Sequence, residues 1–328
     1  MTADPLANQL PPDADGSEGV PVLLGLPYDG GIPTRPGARF GPRAIREALA
    51  SFSARDGSEN ASQLLDLGDL ELPTTDGADA HRRIEEAAGK LFSRGGLALF
   101  LGGDHGCTGS VIRGLARARP GIRLAAVSID AHLDVREYRD EHSISSGTSF
   151  RRALESGVLD GPDLTVIGVR GFANARRHLE WAGERGVRVI SVEEVEEKGV
   201  GQAAAEVRER LVGADALYLS ADIDAVDAAF APAASAAGPG GLTSREVIAL
   251  VRELTRFPRL AGMDVMEVSP PYDSDGRTAK LAARLLLEGV GGWLHQAADP
   301  PGAGIDFAAD ARELRKGERR GGGERRAS

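Results

Sequence analysis

The sequence predicts an α/β fold with three layers, α/β/α, around a mostly parallel sheet. Short, almost continuously apolar runs of strand length alternate along the chain with amphipathic helical patterns. Such runs are typical of parallel strands that are covered by helices on both faces. Residues 20–298 also contain no internal repeat and no linker-like stretch, so we predict one domain there.

The predicted elements alternate along this domain. Strands are expected where the apolar runs are short, at 20–26, 97–103, 123–132, 164–170, 187–192, 216–224 and 260–268. Helices are expected where apolar residues recur every three to four positions, at 42–52, 81–95, 110–120, 175–186, 201–211, 244–256 and 278–290. Residues 1–19 and 299–328 lack such patterns, so we predict a disordered arm and a flexible charged tail.

Composition and charge exclude several classes of partner. The 328 residues carry a net charge of −10, which argues against nucleic acid or an anionic membrane. No apolar run approaches the roughly 20 residues that span a bilayer. The single cysteine, Cys107, excludes an internal disulfide framework and fits a reducing compartment. We therefore expect a soluble, cytoplasmic protein.

Hard metal ligands follow three of the predicted strands. They are Asp104 and His105 in GGDHG, Asp130, His132 and Asp134 in DAHLD, and Asp222 and Asp224 in ADID. Alternate residues of an extended strand face the same side, and the carboxyl ends of parallel strands meet at one edge of the sheet. We therefore expect these side chains to converge. Two imidazoles with several carboxylates suit Mn²⁺ better than Fe, Ni or Zn, and the number of carboxylates suits two cations.

Each of these residues has a simpler interpretation when taken alone. A single aspartate after a strand usually caps a loop, and a single histidine usually belongs to an ordinary loop. Together these interpretations fail, because unpaired carboxylates buried at three strand ends would each be costly without a cation. Two metals can also lower the pKa of a shared water and produce hydroxide near neutral pH.

The motifs GGDHG, DAHLD and SADIDAVDAAFAP, in this order and spacing, resemble the ureohydrolases, which include arginase, agmatinase, guanidinobutyrase and formimidoylglutamase. The resemblance covers about residues 20–295. It implies two Mn²⁺ per subunit, a bridging hydroxide that attacks an amidine or guanidine carbon, and a homo-oligomer, either a trimer or a hexamer. The implied metal ligands are His105, Asp130, His132, Asp134, Asp222 and Asp224.

The same resemblance implies roles for residues beside the metals. Glu267, in DVMEVSPP, matches the family's glutamate that contacts the cationic amidinium of the substrate, and it is assigned as catalytic together with Asp134. Asp227 matches an aspartate that orients a metal ligand, and Asp104 is expected to act in the same way.

The segment EHSISSGTSFRRAL, residues 141–154, carries the prediction of the substrate. Arginases and agmatinases have His-Gly before its threonine, where that histidine shuttles protons, whereas this chain has Ser146. His142 lies four residues upstream and does not match the motif. SSGTSFR resembles formimidoylglutamases instead. The leading prediction is therefore hydrolysis of N-formimidoyl-L-glutamate to formamide and L-glutamate, in histidine degradation.

The predicted substrate carries two carboxylates, which arginine binds well. Arg151, Arg152 or Arg170 is expected to clamp one of them. The full set of predicted substrate-binding residues is Glu267, Ser146 and Arg151.

Three alternatives stay open at this point. An agmatinase or a related guanidino-acid hydrolase would release urea, and residues 28–48 resemble that branch. In an agmatinase, His142 would have to replace the missing proton shuttle. The more distant alternatives are a metal-binding relative without hydrolase activity and a deacetylase that uses a single zinc ion.

Overall fold

The computed structural model describes residues 20–52, 64–140 and 142–298, which contain one eight-stranded sheet. Its strands are β1 (Val22–Gly25), β2 (Leu65–Asp69), β3 (Ala98–Leu101), β4 (Leu124–Ile129), β5 (Leu164–Val169), β6 (Arg188–Ser191), β7 (Ala216–Asp222) and β8 (Leu260–Met266). Their spatial order is β2-β1-β3-β8-β7-β4-β5-β6, and every neighbouring pair is parallel. The predicted parallel sheet is confirmed.

Helices cover both faces of this sheet. They are α1 (Gly41–Leu49), α2 (Gly77–Ser93), α3 (Gly106–Ala118), α4 (Ser149–Glu155), α5 (Arg176–Glu184), α6 (Val192–Lys198), α7 (Val200–Arg210), α8 (Ser244–Thr255) and α9 (Arg277–Ala298). The helices α1 and α6 to α9 pack on one face, around side chains such as Leu250 and Leu285. The helices α2 to α5 pack on the other, around Ile84, Val111 and Phe150. Each such buried side chain contributes about 1.5–3 kcal/mol, so the three layers are held by two apolar cores.

Some elements differ from the sequence prediction. The strand β2 was not predicted, because its sequence LDLGD mixes acidic and apolar residues and it lies at the edge of the sheet. The short helices α4 and α6 were also missed. The helix α2 begins at Gly77, before its predicted start, because the Asp76 side chain accepts a hydrogen bond from the N–H of Asp79. The predicted terminal arm and tail, 1–19 and 299–328, lie outside the described residues.

The centre of the sheet positions the chemistry-bearing residues. The strands β3, β8, β7 and β4 are consecutive neighbours, and their last residues together with the segments that follow them carry all the predicted metal ligands and Glu267. Ligands of open α/β sheets gather at this carboxyl edge. Within the described residues, no helix is both long and apolar enough to cross a membrane.

Candidate metal centre

The first cluster surrounds the ring of His105, at the start of α3. Its Nδ1 atom lies 2.8 Å from Asp134 Oδ2 and 3.1 Å from Asp130 Oδ2. The same nitrogen lies 3.2 Å from Asp222 Oδ2. His105, Asp130 and Asp134 each offer one ligand atom within 4.8 Å of the others, and all three are buried. One divalent cation fits among these atoms.

The second cluster surrounds His132. Its Nδ1 atom lies 3.1 Å from Asp224 Oδ2 and 3.6 Å from Asp130 Oδ1. These three residues also offer ligand atoms within 4.8 Å of one another. Asp130 therefore belongs to both clusters, with Oδ2 toward His105 and Oδ1 toward His132. A carboxylate in this position can bridge two cations.

The backbone that presents these ligands is not the extended strand that the sequence suggested. The strand β4 ends at Ile129, and Asp134 adopts a left-handed conformation with a φ of 49°. The Asn174 side chain holds the irregular segment, because Oδ1 accepts from the N–H of Leu133 at 3.1 Å and Nδ2 donates to the Ala131 carbonyl at 2.9 Å. The ligands converge through this loop rather than through alternation along a strand.

The proposed ligands include two buried polar atoms that lack a hydrogen-bond partner among the described residues. Nδ1 of His105 and Oδ2 of Asp130 are both buried, and neither makes a hydrogen bond of good geometry with a described residue. A buried polar atom without a partner costs about 1–3 kcal/mol. Both atoms point into the first cluster, where a cation would satisfy them together. The residues present therefore fit a metal ion.

Protons occupy the histidines when no cation is bound. Burial alone would lower the pKa of His105, but the three surrounding carboxylates outweigh burial and raise that pKa well above its usual value. Burial is also outweighed at His132, where Asp130 and Asp224 raise the pKa to about 12. A cation that binds here must displace these protons, so its affinity falls as the pH falls.

Glu267 lies beside the first cluster, directly after β8. It is 1% exposed and has a φ of 68°, a conformation that ordinary side chains rarely adopt. Its Oε1 accepts from the N–H of His105 at 2.7 Å, and its Oε2 accepts from the Ser235 hydroxyl. Burial raises the pKa of Glu267. Backbone strain at an acidic residue in such a site is typical of a functional constraint.

The two predicted supporting aspartates differ in their surroundings. Asp104 is fully buried and accepts from the N–H groups of Gly31 at 2.7 Å and Gly106 at 2.9 Å, and burial raises its pKa to about 8. It ties the loop after β1 to the start of α3. Asp227 instead accepts from backbone N–H groups of its own loop, those of Ala229 and Gly240. The predicted role of Asp227 in orienting a metal ligand is not supported by these contacts.

A cleft of about 410 Å³ opens beside the two clusters. It is lined by His132, Asp134, Arg136, Glu137, Ala173, Asn174, Ala175, Arg177 and His178. Arg136 and Arg177 are exposed, and neither forms an ion pair or hydrogen bond through its guanidinium with another described residue. Burial lowers the pKa of His178 most, and the positive charges of these two arginines lower it further. Arg177 and His178 were not predicted as site residues, because α5 meets the metal loop only in the folded chain. Arg136 was not predicted because it lies just outside the metal-binding motif DAHLD.

The arginines that were expected to clamp a carboxylate are engaged elsewhere. Arg151 donates to Glu155 at 2.9 Å and stacks over the Trp181 ring. Arg152 donates to the Asp140 carbonyl, and Arg170 donates to the carbonyls of Gly238 and Ala236. None of the three lines the cleft, so their positions do not support the predicted clamp.

Ser146 and His142 also lie away from the cleft lining. The N–H of Ser146 donates to the Gly31 carbonyl at 3.1 Å, which fixes the short turn before α4. Its role in substrate binding stays a prediction. His142 lines a different cavity together with His81 of α2, Arg113 of α3 and Arg152 of α4. Its imidazole therefore does not face the metal cleft.

Known proteins resemble this chain over most of its length. A sequence model of the arginase family matches residues 21–291. This chain belongs to the arginase family. It is 40% identical over 272 residues to guanidinopropionase of Pseudomonas aeruginosa, covering 81% of this chain and 84% of that protein. It is 38% identical over 284 residues to formimidoylglutamase of Halobacterium salinarum, covering 86% and 90%. The solved structure of formimidoylglutamase from Bacillus subtilis matches with a TM-score of 0.80 at 30% identity, over 84% of this chain and 87% of that one.

Membership of this family confirms the predicted relationship and the predicted fold. The arginase-family chain is a hydrolase of amidino groups, and its family depends on a binuclear metal centre. The names of its relatives differ in substrate, so family membership alone leaves the substrate of this arginase-family enzyme open.

Proposed function

We propose that this chain is a binuclear manganese hydrolase that converts N-formimidoyl-L-glutamate and water into formamide and L-glutamate, in histidine degradation. The proposed metal ligands are the six side chains of the two clusters, with Asp130 shared between them. Two divalent cations held there would supply the activated water that hydrolysis of a C–N bond requires. Manganese suits this mixture of carboxylates and imidazoles.

The observation that carries this choice of substrate is the pair of uncommitted arginines in the cleft. Arg136 and Arg177 line the same cleft as the ligands His132 and Asp134. Their guanidinium groups contact no carboxylate among the described residues, so they are available for carboxylates of a substrate. Guanidinium binds carboxylate in a two-point, charge-assisted geometry. Two arginines match a substrate whose amidine is linked to a dicarboxylate.

Glu267 is proposed to orient the other end of the substrate. Its carboxylate is held by the N–H of His105 and by Ser235, so its oxygens have a fixed direction beside the first cluster. An amidinium that pairs with it would lie beside the first cluster, to which Asp134, the second proposed catalytic residue, belongs. Holding the reacting carbon in one geometry is a large part of such catalysis.

A guanidino acid is the second candidate substrate, because one of the similar proteins, at 40% identity, is a guanidinopropionase. A guanidino acid also carries a carboxylate that Arg136 or Arg177 can bind. Agmatine fits less well, because its second end is a cation and would face two arginines at the cleft. The two candidates differ in product, since a guanidino acid releases urea.

The test is a product assay on the Mn²⁺-loaded protein. Formimidoyl-glutamate, agmatine, arginine and 4-guanidinobutyrate are offered separately, and formamide and urea are measured in each reaction. We expect formamide from the first substrate alone. Urea from 4-guanidinobutyrate without formamide from the first would favour the guanidino-acid alternative. Urea from agmatine would contradict the role given to the two arginines.

Loss of either cleft arginine should weaken binding of an anionic substrate. Each charge-assisted contact contributes about 1.5–3 kcal/mol, so we expect Arg136→Ala and Arg177→Ala to raise KM roughly 10- to 150-fold. The turnover number should change less, because these arginines lie away from the reacting carbon. Steady-state kinetics checks this. Arg176→Ala is the matched control, since Arg176 pairs with Glu180 and does not line the cleft. An unchanged KM in both cleft variants would contradict the proposal.

His142→Ala should leave kcat almost unchanged. Its side chain is exposed and lines the cavity between α2, α3 and α4 rather than the metal cleft. The measurement is kcat of the Mn²⁺-loaded variant across the pH range of activity. A fall of orders of magnitude would mean that His142 replaces the missing shuttle, which is the agmatinase-like mechanism.

Two further features stay predictions. The cytoplasmic location rests on the composition, and the trimer or hexamer rests on the family resemblance alone.

A further inference from the structure

A further buried carboxylate, that of Asp264, lies behind the first cluster and has no role in the mechanism above. It is fully buried in the middle of β8. Three hydroxyl groups converge on it. The Ser220 hydroxyl donates to Oδ1 at 2.6 Å, and those of Thr108 and Tyr218 donate to Oδ2 at 2.8 Å and 2.7 Å. One of these hydroxyls also contacts a proposed metal ligand, because Ser220 Oγ lies 2.9 Å from Nε2 of His105.

The topology of the sheet creates this arrangement. The strands β7 and β8 are parallel neighbours, and their register places Ser220 opposite Asp264. Tyr218, Ser220 and Asp222 alternate along β7 and so share one face of the sheet. Asp222 is the proposed ligand at the end of that row. Thr108 lies three residues after His105, one turn along α3.

The number of available protons fixes the direction of each hydrogen bond. A serine hydroxyl has one proton, and the proton of Ser220 is used on Asp264. Ser220 can therefore only accept from His105, so Nε2 must carry the hydrogen. In the neutral ring, which is the form that binds a cation, Nδ1 then keeps its lone pair, and this is the atom that faces Asp130, Asp134 and Asp222.

We propose that Asp264 is a positioning residue for the metal centre, which acts through the Ser220 hydroxyl to keep the proton of His105 on Nε2 and so leave Nδ1 free to bind a cation. Partners of this kind on the far side of a ligand histidine typically change metal affinity about 10- to 100-fold. This inference rests on the proposed metal centre. It concerns only the cation of the first cluster, because His132 does not contact Ser220.

The experiment measures Mn²⁺ stoichiometry and dissociation constants by competition with a chelator, for Ser220→Ala, Asp264→Asn and the double variant. We expect each single variant to weaken one of the two bound ions about 10- to 100-fold and to leave the other unchanged. In Asp264→Asn, the side-chain oxygen can still accept from Thr108 and Tyr218 if the NH₂ group turns toward Ser220. Only the Ser220 hydroxyl then loses its acceptor. The serine proton then points at His105, which reverses the tautomer.

The double variant separates a relay from two independent effects. If Asp264 acts through Ser220, the double variant should bind Mn²⁺ no more weakly than Ser220→Ala alone. Ser128→Ala is the matched control, because Ser128 is a buried serine directly opposite Ser220 on β4 and its hydroxyl has no hydrogen-bond partner among the described residues. Thermal unfolding of each metal-free variant shows that it has folded.

The inference about Asp264 and the proposed metal centre would be overturned by different results. Additive losses, an equal loss at both ions, or unchanged affinity in Asp264→Asn would overturn the relay while the two-metal centre stands. Failure of the unaltered protein to bind Mn²⁺ would overturn the proposed centre itself.

Discussion

Asp130→Ala should lose both manganese ions and all activity above background while the fold survives. Among the described residues, Asp130 is the side chain that belongs to both clusters, with Oδ2 3.1 Å from His105 and Oδ1 3.6 Å from His132. Removing it takes an anionic ligand from both cations at once. The metal-free fold should tolerate the change, because fewer like charges remain at the end of β4. Metal analysis, kcat and circular dichroism of the same sample give the three readouts.

The control for this prediction is another aspartate at the end of a strand. Asp69 ends the edge strand β2, pairs with Arg46 and lies outside both clusters. Asp69→Ala should keep two ions and full activity. If Asp130→Ala retained one tightly bound ion, Asp130 would not be the shared ligand. Full activity in that variant would reject its assignment as a ligand.

Glu267→Gln should reduce kcat/KM strongly and leave the metal content unchanged. The amide has the shape of the carboxylate, and it can still accept from the N–H of His105 and contact Ser235. What it lacks is the negative charge that pairs with an amidinium. Losing one partner of a buried charge pair costs about 2–5 kcal/mol, or roughly 30- to 5,000-fold in kcat/KM.

Metal analysis of the Glu267→Gln protein distinguishes two roles for Glu267. It either orients the substrate or holds the metal ligand His105 in place. A loss of manganese that parallels the loss of activity would mean that Glu267 acts by holding His105 in place. A change in kcat/KM below about threefold would contradict any contact with the substrate cation.

The sequence predicted the features that depend on short motifs and local periodicity. The seven predicted strands and the helices between them are present, because apolar runs and amphipathic patterns report burial directly. The motifs after β3, β4 and β7 also located the ligand cluster, because parallel strands present their carboxyl ends at one edge. The elements that were missed are short or polar, such as β2, in which Asp66 and Asp69 interrupt the apolar run.

The rest depends on contacts between distant segments. Arg177 and Asn174 reach the metal loop only because β5 is the neighbour of β4. Nothing in the sequence distinguishes Asp264 from its neighbours in an apolar strand. Its connection to His105 through the Ser220 hydroxyl depends on the register of β7 and β8. The sequence also led us to expect Arg151 as a clamp, whereas a glutamate one helical turn away engages it.

The number and identity of metal ions per chain test the central claim most directly. The protein is purified without added chelator, loaded with Mn²⁺, freed of excess ion and analysed by mass spectrometry. The two clusters that share Asp130 predict two manganese ions per chain, bound with proton release. One zinc ion per chain, with no second site that manganese can fill, would contradict the binuclear centre and the hydrolase mechanism built on it.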